Sequence, residues 1–280
     1  MELQIKKFDN RSVVDKRRKF SSPIIVVIGK RNTGKSELIK NIMFCNSDIP
    51  SGIIISPTES GNSFYSDFCP GIFVHSQYDS ELIKKIIKRQ KKLIKKKGKH
   101  PSNDFFIILD DCMYDSKTIG RDINIREIFL NGRHYQIFLI LSLQYVMDLP
   151  VSLRSNIDYV FCLRENNLQN VEKLYKSFFG IFPSKIFFNQ AFSKITENYG
   201  SIVLDNTSRS NRIDECIFWF RATFPLPNFR IGNKKLWKMH DKYYEDVSDA
   251  SEDEKESKAF DDIKTKTSQK LKTILTNKTK

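Results

Sequence analysis

GKRNTGKS fills residues 29–36, after the apolar run PIIVVI (residues 23–28) and before ELIKNIMFC (residues 37–45). Two glycines bracket four residues, and a lysine and a serine follow at once. Between a strand pattern and a helix pattern, this G-x-x-x-x-G-K-[S/T] spacing is the phosphate-binding loop arrangement. Glycine lets backbone N–H groups turn inward around phosphates. The helix that starts near Gly34 aims its positive dipole end at the same point. On this reading Lys35 reaches the β- and γ-phosphates of ATP and the Ser36 hydroxyl holds Mg²⁺. Gly29, Lys30, Arg31, Asn32, Thr33 and Gly34, with Glu37 in the first helical turn, complete the predicted nucleotide site. An ordinary glycine turn would leave the lysine and the serine unexplained.

Outward from this loop, short apolar runs rich in β-branched residues recur. IIVVI precedes the loop, and GIIIS (residues 52–56), FFIILDD (residues 105–111), IFLILSLQ (residues 137–144) and YVFCLRE (residues 159–165) follow it. A short strand is also possible at GIFVH (residues 71–75), and a late β pair at GSIVLDN and ECIFWFRA (residues 200–206 and 215–222). Helical patterns lie between, including residues 168–179 and 185–198. Continuous apolar strands alternating with helices predict an α/β fold: a mostly parallel sheet covered by helices on both faces. Such sheets bind ligands at the carboxyl ends of their strands, and the polar residues of interest fall at those ends.

FFIILDD ends in Asp110 and Asp111 after five apolar residues, as a Walker B segment does. Asp110 is expected to complete the Mg²⁺ site, and Asp111 to act as general base or orient the attacking water. Aspartate at the second place is shorter than the glutamate many such ATPases carry. In the additional-strand class of P-loop ATPases, one extra strand lies between the P-loop strand and the Walker B strand. Gln144, at the tip of IFLILSLQ, matches the γ-phosphate sensor of that strand. Two arginines compete to reach a neighbouring subunit's γ-phosphate: Arg133 in NGRHYQ, slightly favoured, and Arg154 in LRSNIDYVF.

The chain has 280 residues, 47 Lys or Arg against 33 Asp or Glu, and a net charge of +14, which suits a polyanionic partner. Ten Lys or Arg residues and no acid lie between positions 84 and 99, in SELIKKIIKRQKKLIKKKGKH. Leu82, Ile83, Ile86, Ile87, Leu93 and Ile94 share one face there, so the segment at 81–97 is an amphipathic helix with a basic outer face. Lys84, Lys88, Lys91, Lys92, Lys95 and Lys96 are candidates for sequence-independent contacts to DNA phosphates. A solvated face, or a docking face for an acidic protein, is the equal alternative. The five scattered cysteines form no C-x-x-C pair and are read as reduced, mostly buried thiols. No apolar run approaches the ~18 residues of a membrane helix, and the charged start has no h-region. A chain that is soluble, intracellular and not an integral membrane protein is expected.

Taken together, GKRNTGKS, FFIILDDC, GRHYQIFLILSLQ, LRSNIDYVF and ECIFWFRA resemble the FtsK–HerA type ATPases. Within them they resemble the poxvirus-type genome-packaging ATPases of nucleocytoplasmic large DNA viruses, over about residues 24–222. The resemblance implies a RecA-like, additional-strand core and a ring homo-oligomer, pentamer or hexamer, that uses ATP to drive double-stranded DNA into a preformed capsid. It further implies capsid or portal partners, and a location in the infected host cell cytoplasm, at the viral factory, or in the virion. Neither the basic helix nor the tail is carried over from the family. The expected organisation is a charged N-terminal extension (residues 1–22), a P-loop ATPase domain (23–245) and a charged, disordered tail (246–280).

The main rival is a P-loop kinase for a small molecule or nucleotide. It would need an arginine-bearing lid and an acceptor pocket. A GTP switch needs N-K-x-D, and NKKL (residues 233–236) fails at the aspartate. A nucleotide-binding scaffold without turnover sits poorly with the intact pair of acids.

Overall fold

The computed structural model describes residues 4–59, 63–112 and 120–244, the side chains of 243 and 244 aside. The chain forms two compact units, residues 1–233 and 234–280.

The described part of the first unit is built on the strands β1 (Lys6–Lys7), β2 (Ile24–Ile28), β3 (Ser51–Ile55), β4 (Val74–His75), β5 (Phe105–Leu109), β6 (Ile137–Leu143), β7 (Tyr159–Cys162), β8 (Gly200–Asp205) and β9 (Ile217–Arg221). Its helices are α1 (Arg11–Arg18), α2 (Lys35–Cys45), α3 (Ser80–Lys97), α4 (Ile123–Asn131), α5 (Val151–Arg154), α6 (Leu168–Phe178), α7 (Lys185–Ile195) and α8 (Ile213–Cys216). The strands form one sheet in the order β1-β9-β8-β7-β2-β6-β5-β3-β4. Among the described strands, only β8 runs against the others. The mostly parallel sheet read from the sequence is therefore present. The extra strand β6 lies between the P-loop strand β2 and the acid-bearing strand β5, in register Val26↔Leu141 and Leu109↔Leu141.

Alternating side chains of one strand go to opposite faces, and this sheet buries both. Val26, Ile107, Leu109, Leu139 and Leu141 face α3, α4, α6 and α7. Ile25, Val27, Phe106, Ile108, Phe138 and Ile140 face α2 and the segment around Phe8 and Val13. Such strands cannot alternate apolar with polar, which is why they read as unbroken apolar runs. Each fully buried Ile or Leu side chain contributes about 1.5–3 kcal/mol. α3 starts at Asp79, whose side chain accepts a hydrogen bond from Glu81 N, and ends at Gly98 with φ 71° after a last turn of Lys95, Lys96 and Lys97. Cations at that end match the helix dipole.

The expected N-terminal extension needs correction. β1 pairs with β9 at the edge of the same sheet. Phe8 packs edge-on against Tyr159 and Phe161. Arg17 is buried and holds Asp104 at 2.6 Å, Asp48 at 2.5 Å and Asn46 at 3.0 Å. Residues 1–22 look like a charged lead-in only because the partners that bury Arg17 lie 29 to 87 positions away. Of the five cysteines, four are buried and Cys45 is exposed.

In the second unit, α9 (Lys234–Tyr244) is the described element. The charged tail at 246–280 lies outside the described residues. No helix among the described residues is long and apolar enough to cross a membrane.

Candidate active site at the carboxyl edge of the sheet

The loop at residues 29–36 joins the carboxyl end of β2 to α2. Gly34 has φ 93°, a conformation that side chains resist. A Cβ on Gly29 would stand 2.6 Å from the Thr33 hydroxyl oxygen and 3.0 Å from Leu163 Cβ. A side chain would crowd the loop at Gly29 and strain it at Gly34. The Thr33 hydroxyl donates to Lys30 O at 2.7 Å and ties the loop across itself. Lys35 is buried, and its Nζ donates to Gly29 O at 2.9 Å and to Lys30 O at 3.2 Å. The ammonium is thus held inside the ring of backbone that a phosphate would enter. Asn32 and Arg31 are at the loop's crest, and Glu37 is half-buried in the first turn of α2.

β5 brings both acids to this loop. Asp110 is 3% exposed, and its Oδ2 accepts from Ser36 Oγ at 3.2 Å and Tyr65 Oη at 2.7 Å. Its Oδ1 is buried with no hydrogen-bond partner among the described residues. Burial raises the Asp110 pKa, and neighbouring hydroxyl groups offset this in part. A buried carboxylate oxygen left without a donor is costly, so this atom marks a place for a further ligand. Asp111 has φ 51°, uncommon for a non-glycine residue. That turn puts its Oδ2 at 3.4 Å from Lys35 Nζ and its Oδ1 at 3.4 Å from Ser142 Oγ. Strain of this kind collects at functional sites.

Gln144 follows the end of β6 and is half-buried. It lines a cavity of about 280 Å³ with Gly29, Glu165 and Asn170. The predicted sensor position and the P-loop are therefore brought together. The two arginines part company. Arg154 is half-buried and donates to Leu149 O, Val146 O and Ser177 Oγ, so it ties the turn before α5 to α6. Burial lowers its pKa. Arg133 is exposed at the start of β6, the opposite end of that strand from Gln144. It cannot reach the site of its own chain.

Three partners of the site are not marked by any sequence motif. Tyr65 comes from the segment after β3, and burial first, then Asp110, raises its pKa far above the ordinary phenol value. Glu59 receives the backbone N–H of Tyr65 and of Ser66, at 3.0 Å and 2.8 Å, and so fixes the turn that carries Tyr65. Glu165, beyond β7, holds Lys30 Nζ at 2.6 Å. Burial pushes the Glu165 pKa up, but Lys30 and two amide donors outweigh it and the net shift is downward. Glu59 and Glu165 carry one legible signal, a place just beyond the carboxyl ends of β3 and β7, and Tyr65 carries none.

On α3, Lys84 pairs with Glu81 and Lys91 with Glu127, at 2.7 Å and 2.5 Å. Lys88, Lys92, Lys95 and Lys96 are exposed and make no ion pair among the described residues.

A lysine folded into a glycine loop, a buried aspartate against the loop serine and an extra strand between them define an α/β, RecA-like P-loop NTPase of the additional-strand type. The chain belongs to the Poxvirus A32 protein family, which it matches over residues 6–185. The poxvirus-type likeness read from the motifs is borne out. The chain is 34% identical over 250 residues to protein L437 of Acanthamoeba polyphaga mimivirus, covering 87% of this chain and 85% of that protein. It is 38% identical over 214 residues to protein 075L of Invertebrate iridescent virus 6, covering 75% and 82%. Its fold is similar to that of the genome packaging NTPase B204 of Sulfolobus turreted icosahedral virus 2, solved with sulfate. The TM-score is 0.53 at 21% identity, over 73% of this chain and 98% of that one.

Proposed function

We propose that this chain is an ATP-hydrolysing motor that translocates double-stranded DNA during viral genome packaging, working as a ring of identical copies. The observation that carries this is the meeting of Lys35, Ser36, Asp110 and Asp111 within hydrogen-bonding or ion-pair distance at one strand edge. Membership of the A32 family and the fold shared with a packaging NTPase support the biological role.

The loop N–H groups and the Lys35 ammonium bind the ATP phosphates. Ser36 Oγ and the Asp110 carboxylate, whose Oδ1 has no hydrogen-bond partner among the described residues, would hold Mg²⁺. When bound, Mg²⁺ would neutralise negative charge on the ATP phosphates. An incoming γ-phosphate competes with Asp111 for Lys35. Asp111 is then free to take the proton of the water that attacks phosphorus, and ADP leaves with inorganic phosphate as the other product. Gln144 meets the γ-phosphate from the tip of β6. Arg133 of the adjacent copy stabilises transition-state charge, an effect worth roughly 10³–10⁵ in rate for arginine fingers elsewhere. The exposed lysines of α3 contact duplex phosphates without reading sequence. Such a protein acts in the infected cell, at sites of assembly or in the particle.

The test is phosphate release by the purified chain with and without duplex DNA, with its mass in solution measured alongside. Release without any phosphoryl acceptor, accelerated by duplex, is expected. Transfer to an acceptor would make it a kinase, and no turnover in the presence of duplex would remove the motor reading.

A further inference from the structure

We infer that Tyr199, with Arg164 lining the same recess, forms the subsite for the nucleobase of the bound nucleotide, an inference that rests on the nucleotide-site reading above. Because β8 runs against its neighbour β7, it starts at the edge where β7 ends. Tyr199, just before it, thereby arrives beside the P-loop. The Tyr199 ring is the first group that a Cβ on Gly34 would meet, at 3.4 Å. Even so the residue is 68% exposed. One side closes on the loop and much of the rest is open.

The backbone goes out of its way to hold it there. Asn198 and Tyr199 have φ 49° and 60°, two successive non-glycine residues in the left-handed region. Residues are kept in that region where surrounding structure over-determines them, and such places cluster at ligand sites. Here Gly200 N donates to Glu197 O at 2.9 Å, and Arg221 donates to the same oxygen at 3.3 Å. A recess results, lined by Asn32, Thr33, Arg164, Thr196, Asn198 and Tyr199. Arg164 follows β7 at the same edge, and its planar guanidinium suits the face of a base. The two acids face Lys35 and Ser36, whereas the recess borders Asn32 and Thr33. A nucleotide can therefore lay its triphosphate along the loop with its base in the recess, clear of both acids. Stacking on Tyr199 supplies affinity without reading the base edge, because every base has a π-face.

The test compares ATP with inorganic tripolyphosphate, each titrated calorimetrically into the full chain with Mg²⁺. Tyr199→Ala is expected to weaken ATP roughly 5- to 150-fold, the span of base–aromatic stacking, and to leave tripolyphosphate unchanged. Tyr199→Phe, which keeps the ring, is expected to bind ATP as the parent does. Equal weakening of both ligands would make Tyr199 a prop for the loop and overturn the subsite. So would unchanged ATP affinity in Tyr199→Ala. Lys35→Ala separates this failure from the failure of the nucleotide site: loss of both ligands upholds the loop as the phosphate site, and loss of neither removes it.

Discussion

Asp110 and Asp111 are adjacent in sequence but do different work, because one is buried at the end of β5 and the other is turned out by a positive φ. Lys35→Ala is expected to abolish hydrolysis and nucleotide binding together, measured by phosphate release and titration. Asp111→Asn should keep ATP affinity and lower kcat roughly 10²–10⁴-fold, the usual contribution of a general base. Near-normal turnover in that variant would mean another group activates the water. Tyr65→Phe removes only the hydroxyl that Asp110 accepts at 2.7 Å. Loss of such an outer-shell partner commonly costs roughly 10- to 100-fold in metal affinity, so the Mg²⁺ concentration for half-maximal activity should rise by about that factor while ATP affinity holds. The four motif residues were legible because chemistry dictates their spacing from a strand end. Tyr65 was not, since its hydroxyl meets Asp110 across 45 positions and no local pattern encodes that meeting.

At the scale of elements, the parallel core could be read directly, since strands buried on both faces have no polar positions to blur them. β1 and α1 escaped notice for the opposite reason. A two-residue strand of lysines and a helix carrying Arg17 resemble solvent-facing chain until Asp104 and Asp48 are placed beside them. Arg17→Ala leaves Asp104 buried without its cation, and burial already raises that carboxyl's pKa. Breaking such a pair costs about 3–5 kcal/mol, so the melting temperature should fall by roughly 6–20 °C. An unchanged melting curve would place α1 outside the cooperative fold. On α3, ion pairs already engage Lys84 and Lys91, which narrows the candidate DNA face to Lys88, Lys92, Lys95 and Lys96. Changing these four to Gln should weaken duplex binding and flatten the slope of log affinity against log salt, by at most about 0.9 for each phosphate no longer neutralised. A slope equal to the parent's would remove α3 from the DNA path.

For the molecule as a whole, Arg133 sits at the amino end of β6 and the nucleotide loop at the carboxyl edge. A site completed by Arg133 must therefore be shared between copies. Arg133→Ala and Lys35→Ala chains, each inactive alone, should regain part of the activity when mixed, because mixed rings contain some intact junctions. Failure of mixing to restore any phosphate release would point to a different arginine. The strand order also bears on how the chain is made. β2 carries the P-loop, yet both its neighbours, β6 and β7, lie more than 100 residues downstream. A ribosome adding roughly 5–20 residues per second leaves both edges of that apolar strand unpaired for about 5–20 s, with only α2 and the segment around Phe8 and Val13 at hand to cover one face. During synthesis the strand that bears the catalytic loop is thus a natural client for a nascent-chain chaperone.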